Sequence, residues 1–524
     1  MQDSLQHPVS DLGSILPRAP DGSSQSGIGR QVAHGATWVV LQRLAVRLIG
    51  VVSMLVLVRL LAPADFGIVA LATAFSAGLD VLLELGFDIA LIHRQTSDRT
   101  QYDTAWTLSI LRGVFVAGVL CAAAWPLGAF YNDPRLTSVL LWLALAYFVS
   151  GFQNIGIVDF RKNLMFDREF KLLVWCKVAS FITTLTMAWI WRDFHALIAG
   201  IAVGKIASVI LSYTMHPYRP RFSLVGAGGF LRFSKWLGLV NLVNIANTRL
   251  DAAIVGKFAG AGGLGVYAVA YELATLATTE LIWPIVRALL PGYAKLAGDK
   301  RQLSAAFIDA LGIIMLLAAP VTIGIAVMAG PAVRLVLGPD WLAAIPVMQI
   351  LALYGLLDMP TANVKALFLA VGRPDLIVWR DIPAALVLVP CLIGGTLVFG
   401  APGAAAALAI SAAVSLVVAF ALLRRQLDVG VGACFDVAWR PLVAGAAMGV
   451  VVVALQFEWA VEPTFIRLLG QTVLESLLGV AFYLAMVTSL WVLAGKPSSA
   501  PEAHALTFAL ETINRFRRAS ATPV

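Results

Sequence analysis

The chain has 524 residues, of which 60% are hydrophobic and 13% are charged, and its formal net charge is +8 at pH 7. Because soluble domains contain about 25% charged residues, this composition excludes an ordinary soluble enzyme and indicates a polytopic membrane protein. The basic residues lie mainly in short loops between apolar runs, as the positive-inside rule expects, so the net charge predicts no nucleic-acid partner. The four cysteines are far apart and show neither metal-ligand nor disulfide spacing. We predict no metal site.

The apolar runs are long and continuous, which predicts helices rather than the alternating strands of a membrane barrel. At about 20 residues per crossing, the sequence predicts an all-α polytopic membrane protein of about fourteen transmembrane helices. In chain order, the predicted spans are 38–61, 66–92, 104–130, 136–158, 171–191, 195–215, 233–256, 264–290, 304–329, 342–370, 376–400, 402–423, 440–457 and 470–494.

The predicted spans divide into segments. Residues 1–34 are rich in Ser, Gly, Pro and Gln and lack the apolar core of a signal peptide, which predicts a disordered cytoplasmic tail. The predicted segments that follow are an N-lobe (35–215), a cytoplasmic linker (216–232), a C-lobe (233–425), two additional spans (426–495) and a cytoplasmic tail (496–524). Residues 159–171 alternate aromatic and basic side chains, which predicts an interfacial helix on the bilayer surface. A short helix is expected in 333–341.

Lys and Arg are concentrated in alternate loops, which fixes the predicted orientation. The rich set includes Arg161, Lys162, Arg168 and Lys171 and, near the second half of the chain, Arg424, Arg425 and Arg440. Since Lys and Arg accumulate in cytoplasmic loops, both termini are predicted to be cytoplasmic, and the turn at Pro63–Gly67 is predicted to face outward.

A faint internal repeat relates the first two spans to a stretch 198 positions later. The matching pairs are Trp38 and Trp236, Leu41 and Leu239, Leu44 and Leu242, Arg59 and Lys257, Gly67 and Gly265, and Ala70 and Ala268. Both copies enter the membrane from the cytoplasmic side, so the repeat is parallel rather than inverted. It predicts two related lobes that face each other across a central cavity.

Several segments together resemble a known family. They are Arg59–Gly67, Glu84–Ile92, Tyr102–Leu108, Arg161–Phe170, Pro291–Leu296, Gly338–Trp341 and Gly372–Asp375. In order and spacing they resemble the polysaccharide-transport (Wzx-type) flippases of the multidrug, oligosaccharidyl-lipid and polysaccharide exporter superfamily, and most nearly the colanic-acid-type exporters. The resemblance extends from Val32 to Arg425.

This resemblance implies two six-helix bundles around a pseudo-twofold axis, with alternating access in the bacterial inner membrane. It implies transport of an undecaprenyl-diphosphate-linked oligosaccharide repeat unit from the inner to the outer leaflet, for exopolysaccharide or lipopolysaccharide synthesis. The implied partners are this lipid-linked oligosaccharide and the membrane, with the polymerase and chain-length regulator of polysaccharide assembly as a further class. No cofactor is expected, although coupling to a proton or a sodium ion stays open.

A diphosphate needs cations to replace water when it crosses a membrane. The candidate substrate-binding cations are Arg47, Arg112, Lys205, Arg249 and Lys365. Asn241 and Asn244 recur at helical spacing just before Arg249, as a cavity wall that binds sugar hydroxyls or as polar contacts between helices.

Acidic residues inside spans are the second group of candidates, because such charges need partners, water or a function. Asp80, Glu84 and Asp88 are spaced by four and form one stripe on a helix. The stripe is expected to face a cavity or the arginines of spans one and three. Together with Asp251, Glu272 and Glu280, these acids are candidates for ion coupling or for a gating latch between the lobes.

The alternative is structural ion pairing, of Arg47 with Glu84 and of Arg249 with Glu272, while Arg43 is expected to reach the headgroups. Counting along the spans places Arg47 in the cytoplasmic half and the pair of Arg249 and Glu272 nearer the outer face. This predicts cations at two heights.

Three functions compete. A flippase agrees with the cations, whereas a multidrug or organic-cation antiporter of the same superfamily should have a cavity of acids and aromatics. A membrane polysaccharide polymerase or ligase should carry a large outer loop, and the predicted outer loops are short. The sequence has no Gly-x-x-x-x-Gly-Lys-Ser/Thr phosphate loop, so direct use of ATP is not expected, and we predict a transporter rather than an enzyme.

Overall fold

The computed structural model describes residues 22–83, 91, 98–225, 227–228, 250–427, 429–457, 465–495 and 501–503. In chain order, its α-helices are α1 (Gly22–Leu60), α2 (Pro63–Leu82), α3 (Arg99–Tyr131), α4 (Pro134–Ser150), α5 (Val158–Lys162), α6 (Phe166–Trp191), α7 (His195–Met215), α8 (Gly260–Leu296), α9 (Lys300–Ala332), α10 (Ala344–Ala370), α11 (Asp375–Phe399), α12 (Ala401–Leu427), α13 (Val431–Phe457) and α14 (Phe465–Leu493). A π turn at Val333–Leu337 and a 3₁₀ turn at Pro339–Trp341 follow α9, which confirms the short helix predicted there.

The helix lengths confirm an all-α polytopic membrane fold. Among the described residues, 12 helices are long and apolar enough to cross a bilayer, and α4 with the segment Ile155–Lys162, bent by 71°, makes a thirteenth if the pair is one span. The predicted span 233–256 lies mostly outside the described residues. The count of about fourteen therefore stays a prediction.

α1 begins at Gly22, within the predicted tail of residues 1–34, whose disorder stays a prediction. A polar composition indicates contact with water, but it does not stop a helix from propagating beyond its apolar part. Two other local predictions need correction. The predicted interfacial helix 159–171 is broken, because α5 ends at Lys162 and α6 begins at Phe166. Arg440 belongs to α13 rather than to a loop, because this helix already begins at Val431.

Short polar residues mark the ends of the helices. The Asp133 carboxylate accepts a hydrogen bond from the backbone N–H of Arg135 at the start of α4, and Asp299 accepts from Arg301 and Gln302 at the start of α9. These contacts satisfy amide groups that have no partner within the helix. Asn132, with φ of 54°, ends α3 in the left-handed conformation that Asn tolerates well.

The helices pack as two groups, and the last two helices form a separate pair beside the second group. In the N-terminal group α1 packs on α6, α6 on α7, α7 on α4, and α4 on both α2 and α3. In the C-terminal group α8 packs on α9 and α10, and α12 packs on α10 and α11. The last two helices lie outside this pattern, since α13 and α14 pack on each other and on α9. We call the two groups the N-lobe and the C-lobe.

The two lobes meet where α2 lies against α8, at the end of the bundle that carries Pro63. We call this the Pro63 end. A Cβ built on Gly67 would lie 1.7 Å from the carbonyl oxygen of Ala261, and one built on Gly265 would lie 1.8 Å from the carbonyl oxygen of Pro63. Both positions require glycine, because no side chain fits at these distances. Gly67 and Gly265 are related by the 198-residue repeat, and so are Pro63 and Ala261. The positions that the repeat relates therefore touch each other across the two lobes.

Polar contacts to backbone carbonyls reinforce the Pro63 end. The Arg59 guanidinium donates to Leu335 and Val336 of the other lobe, the second bond at 2.7 Å. Its repeat-related counterpart Lys257 donates to Phe130 of the N-lobe. Trp341 Nε1 donates to Val58 at 2.9 Å, and the Tyr131 hydroxyl donates to Ala253 at 3.2 Å. Each bond joins one lobe to the other, so the Pro63 end is closed.

Candidate functional site

Charged side chains of both lobes meet between α1 and α8. Arg43 and Arg47 are four residues apart and therefore lie on one face of α1. Arg47 Nη1 is 2.6 Å from Glu272 Oε1, and Arg47 Nε is 3.5 Å from Glu280 Oε1. Arg43 Nε is 3.2 Å from Glu280 Oε2. We call these four residues the interlobe cluster.

The interlobe cluster lies far inside the bundle. Arg47 precedes the end of α1 at Leu60 by 13 residues, and Glu272 follows the start of α8 at Gly260 by 12 residues. At about 1.5 Å per residue, both side chains lie some 18–20 Å from the Pro63 end. The prediction that Glu272 lies at another height than Arg47 is therefore wrong. Counting from the cytoplasmic ends of the predicted spans placed Arg47 too near that end, because α1 begins at Gly22 rather than near residue 38.

The cluster joins residues that the sequence does not predict to meet. Glu272 contacts Arg47 of the other lobe. The pair of Arg249 and Glu272 stays a prediction, because Arg249 lies outside the described residues. Arg43, which the sequence predicts to reach the headgroups, instead contacts Glu280. Sequence counting favours neighbouring helices, whereas the contact between two lobes brings together helices that are distant in the chain.

The cluster is electrically balanced but not fully hydrogen-bonded. It contains two guanidinium groups and two carboxylates, with side-chain exposures between 32% and 46%. The Nε atom of Arg47 is buried and has no hydrogen-bond partner among the described residues, because its 3.5 Å contact with Glu280 is an ion pair only. A planar guanidinium with an unused N–H donor can donate a hydrogen bond to a further oxyanion.

A second charged group lies inside the N-lobe. Arg112 Nη2 on α3 is 3.2 Å from Asp80 Oδ1 on α2, in agreement with the expectation that Asp80 faces an arginine of span three. Lys205 on α7 places its Nζ 3.8 Å from the ring centroid of Tyr147, a cation–π contact. Asp80 and Arg112 are its charged neighbours. Three predicted site residues therefore share one region.

Of the remaining predicted residues, two lie in the C-lobe and the others lie outside the described part of the chain. Asp251 Oδ2 accepts a hydrogen bond from the Tyr267 hydroxyl at 3.0 Å. Lys365 is exposed on α10, five residues before its end at Ala370. The following predicted residues lie outside the described part of the chain: Glu84, Asp88, Asn241, Asn244 and Arg249.

The sequence reasoning missed one acid of the C-lobe. Asp358 lies within α10, where Thr361 Oγ1 donates to its Oδ1 at 3.2 Å, and Arg380 of α11 donates to the Thr361 carbonyl at 2.9 Å. An acid in the middle of an apolar run was the available signal, and it is the same signal that identified Asp80.

An apolar groove adjoins the interlobe cluster. It has a volume of about 850 Å³ and lies among α9, α13 and α14. Its walls include Leu316, Pro320, Met448, Val452 and Tyr483, and it reaches Leu55 of α1 and Leu273 of α8. Leu273 directly follows Glu272 in the chain. The groove therefore reaches α8 at the height of the charged cluster.

At the end of the bundle opposite Pro63, the segment after α7 is clamped to the N-lobe. The Tyr218 hydroxyl donates to Asp103 Oδ1 at 2.7 Å, and His216 Nε2 is 3.4 Å from Asp159 Oδ2. Burial lowers the pKa of His216, with the Asp159 carboxylate opposing the shift and Arg168 and Arg219 adding to it.

The family model and the related proteins that match this chain all have descriptions that concern polysaccharide biosynthesis. A family model described as polysaccharide biosynthesis protein matches residues 56–346, more than half of the chain. The lipopolysaccharide biosynthesis protein WzxC of Escherichia coli (strain K12) is 27% identical over 373 residues, covering 70% of this chain and 76% of WzxC. The succinoglycan biosynthesis transport protein ExoT of Rhizobium meliloti (strain 1021) is 23% identical over 492 residues, covering 90% of this chain and 98% of ExoT.

Solved structures share the fold. The lipid II flippase MurJ in an inward closed conformation superposes with a TM-score of 0.66 at 14% identity, covering 86% of this chain and 99% of that chain. A multidrug resistance MATE family transporter of the MOP superfamily, in an inward-facing conformation, gives a TM-score of 0.51 at 15% identity, covering 72% of this chain and 94% of that chain. At these identities the likeness concerns the fold alone.

Proposed function

Because the match covers residues 56–346, the chain belongs to the polysaccharide biosynthesis protein family, and from this membership we propose that it is a flippase. The resemblance of its motifs to the polysaccharide-transport proteins is confirmed by the relatives WzxC and ExoT. The proposed substrate is an undecaprenyl-diphosphate-linked oligosaccharide repeat unit. The protein moves it from the inner to the outer leaflet of the bacterial inner membrane by alternating access, for exopolysaccharide or lipopolysaccharide synthesis.

The observation that carries this proposal is the meeting of the interlobe cluster with the apolar groove. A lipid-linked sugar has a long apolar chain, a diphosphate and a polar oligosaccharide. The groove offers an apolar surface for the chain, while Arg43 and Arg47 offer guanidinium groups for the diphosphate a short distance away. Guanidinium binds phosphate oxygens in a fixed fork geometry. The apolar chain of the substrate is followed by its diphosphate, and in the protein the apolar groove is followed by the two arginines.

The interlobe cluster is the proposed latch of the flippase. Glu272 and Glu280 neutralise the two arginines and join α1 to α8. An arriving diphosphate takes over the arginines and releases the carboxylates, so the binding step itself loosens the joint between the lobes. A ligand shifts such an equilibrium only by its difference in affinity for the two states, and exchange of anions on the arginines supplies that difference. The released carboxylates are the proposed sites for a coupling cation.

The proposed orientation follows from the basic loops. The Pro63 end faces the periplasm and both termini are cytoplasmic. In this orientation the periplasmic end is the closed one, so the protein receives its substrate from the cytoplasmic side. The membrane and the lipid-linked oligosaccharide are its proposed partners, and the polymerase and chain-length regulator stay predictions of the resemblance. We propose transport without bond making, so the protein is not an enzyme.

An organic-cation antiporter is the competing function, and the acids Glu272 and Glu280 are the features that favour it. In that case the carboxylates bind the cargo, and removal of the arginines strengthens cation binding. In a flippase, removal of the arginines abolishes transport. The two functions therefore predict opposite effects of the same substitution.

The test is complementation of a bacterial strain that lacks its exporter of lipid-linked repeat units. The variant Arg47→Ala should abolish surface polysaccharide and leave complete lipid-linked repeat units on the inner leaflet, while Arg47→Lys should restore part of the export because the charge is kept. Export is measured as surface polysaccharide, and leaflet location by the accessibility of the sugar to an impermeant oxidant.

Arg301→Ala is the matched control, because Arg301 is exposed at the start of α9, far along the chain from the cluster. Membrane levels of all variants are compared by quantitative blotting. Normal export by Arg47→Ala at normal membrane levels contradicts the proposal. Accumulation of the repeat unit on the outer leaflet points to a polymerase instead.

A further inference from the structure

The chain returns to the bundle after α14. Residues 501–503 form a helical turn in which Pro501 and Glu502 are buried. Pro501 packs on α9 at Gly312, where a built Cβ would lie 2.1 Å from Pro501 Cγ. Because only glycine leaves this space, Gly312 and Pro501 form a close-fitting seat for the returning segment. We call residues 501–503 the tail turn.

The tail turn brings a carboxylate to a buried arginine. Glu502 Oε1 lies 3.4 Å from Arg440 Nε, and the two side chains are only 6% and 7% exposed. Arg440 lies nine residues inside α13, and Glu502 follows the end of α14 by nine residues. The pair therefore lies at the end of the bundle opposite Pro63, where α13 begins and α14 ends.

This ion pair is poorly satisfied. Within the described residues, Arg440 Nη1 has no hydrogen-bond partner, and neither carboxylate oxygen of Glu502 accepts a hydrogen bond. Buried ion pairs stabilise a fold only when further hydrogen bonds satisfy both groups. Aspartate or glutamate offers two oxygens, whereas a phosphate or diphosphate offers more oxygens to a guanidinium fork. The arginine is thus held by an anion that leaves part of its donor capacity unused.

The pair also lies at the end of the apolar groove. Glu502 lines the same 850 Å³ space as Met448, Tyr483 and Trp491. An anion in the place of the Glu502 carboxylate would therefore continue directly into an apolar chain along α13 and α14. The chemistry that fits is a phosphate or diphosphate ester of a long hydrocarbon.

We propose that Arg440 is a binding site for the phosphate end of a polyprenyl phosphate or diphosphate, and that the tail turn occupies this site with Glu502 as an internal plug. The plug lowers the apparent affinity of the lipid, since the lipid binds only when the tail turn has left. This proposal rests on the proposed function for the class of lipid, but its site is separate from the interlobe cluster.

The test measures binding of farnesyl diphosphate to the purified full-length protein in detergent, by isothermal titration calorimetry. Glu502→Gln should tighten binding by about tenfold or more, because the competing anion is lost and the competent fraction rises. Gly312→Ala should tighten binding similarly, because its methyl group displaces Pro501 while both charges remain. The double variant Glu502→Gln with Arg440→Gln should bind weakly, and it avoids an unpaired buried charge.

Glu169→Gln is the matched control, because Glu169 pairs with an arginine, Arg161 at 2.6 Å, in the N-lobe and outside the groove. Its affinity for farnesyl diphosphate should equal that of the unmodified chain. Thermal unfolding and size-exclusion profiles are compared for every variant. Unchanged affinity in both Glu502→Gln and Gly312→Ala overturns the plug, and tight binding by the double variant overturns the site.

Three further ligands identify the source of the anion. Inorganic diphosphate and farnesol should each bind far more weakly than farnesyl diphosphate, and phosphatidylglycerol should not compete. Equal binding of inorganic diphosphate, or full competition by phosphatidylglycerol, overturns the assignment to a polyprenyl lipid. A protein that binds farnesyl diphosphate at Arg440 but fails to restore polysaccharide export contradicts the proposed function and leaves this site standing.

Discussion

Arg47 holds a carboxylate of the opposite lobe about halfway along the bundle. A charge at this depth is expensive, and its partner must come from a surface that faces it. The closest partner is Glu272, at 2.6 Å, and both side chains are partly exposed, at 32% and 46%. The exposure places the pair in an open space rather than in a packed interface. Such a pair stabilises the contact between lobes by only about 1 kcal/mol, which suits the joint that opens in the proposed transport cycle.

A charge exchange tests this pair. Arg47→Glu and Glu272→Arg should each abolish export, because each single change places two like charges at the joint. The double variant should restore the α1–α8 contact and the membrane level, because the ion pair is rebuilt with its ends reversed. Thermal unfolding in detergent measures the recovery of the α1–α8 contact, quantitative blotting measures the membrane level, and complementation measures export.

The control for the charge exchange is the pair of Arg161 and Glu169, which forms within one lobe at 2.6 Å. Its reversal should leave export near normal. Failure of the double variant to recover any thermal stability would show that Arg47 and Glu272 do not act as a pair.

The charges could be found from the sequence, but their partners across the lobes could not. Arg47, Arg112, Asp80, Glu272 and Glu280 stand out as ionisable residues in apolar runs. Asp80 meets Arg112 within one lobe, as the sequence predicts. The contacts of Arg47 with Glu272 and of Arg43 with Glu280 join residues more than two hundred positions apart, and they depend on which helices of the two lobes face each other. Periodicity along one helix does not contain that information.

At the scale of elements, α2 and α8 are joined by backbone rather than by side chains. Gly67 of α2 and Gly265 of α8 let the two helices approach until carbonyl oxygens occupy the space of a Cβ. Small residues at such contacts allow close packing of helices in membranes. The repeat in the sequence predicted that these helices are related, and the structure adds that the related positions touch.

Gly67→Ala should destabilise the protein, because the added methyl group meets the Ala261 carbonyl and forces α2 and α8 apart. Overpacking of this kind typically costs about 1–3 kcal/mol, so the thermal midpoint should fall by several degrees. Gly265→Ala should have a similar effect, since it meets the Pro63 carbonyl in the same way.

Gly262→Ala is the matched control on the same helix, because nothing lies within 4 Å of a Cβ built there. Its thermal midpoint should stay unchanged or rise slightly, since alanine is the better helix former. An equal loss of stability in Gly262→Ala and Gly67→Ala would contradict the close contact of the two helices.

At the scale of the whole molecule, the sequence predicted the fold class and the related lobes, but not which end is closed. Composition and run length fix a helical membrane bundle, and the repeat fixes its two lobes. Closure depends on a few bonds across the lobes, such as that from Trp341 to Val58. The two states of the proposed transport cycle contain the same helices, so a sequence pattern that identifies helices does not distinguish the states.

The closed Pro63 end leads to a prediction about the balance between states. Trp341→Phe removes one buried donor to the Val58 carbonyl and leaves the ring packed near Phe66. Loss of about 1 kcal/mol of interlobe bonding should raise the population open at the Pro63 end about fivefold. The reporter is Ala74→Cys, 6% exposed and two turns from Gly67 on the same face of α2.

In a chain whose native cysteines are replaced, an impermeant maleimide should label the reporter about five times faster in Trp341→Phe. Tyr483→Phe is the matched control, because it also removes one buried donor to a backbone carbonyl, that of Leu316, but within the groove. The control should leave the labelling rate unchanged, since no bond between the lobes is lost. Equal acceleration in both variants would mean general loosening of the bundle, and no acceleration in Trp341→Phe would mean that the bond does not hold this end closed. Faster labelling in Trp341→Phe alone assigns the closure to the contacts between lobes at the Pro63 end, where the two copies of the repeat meet.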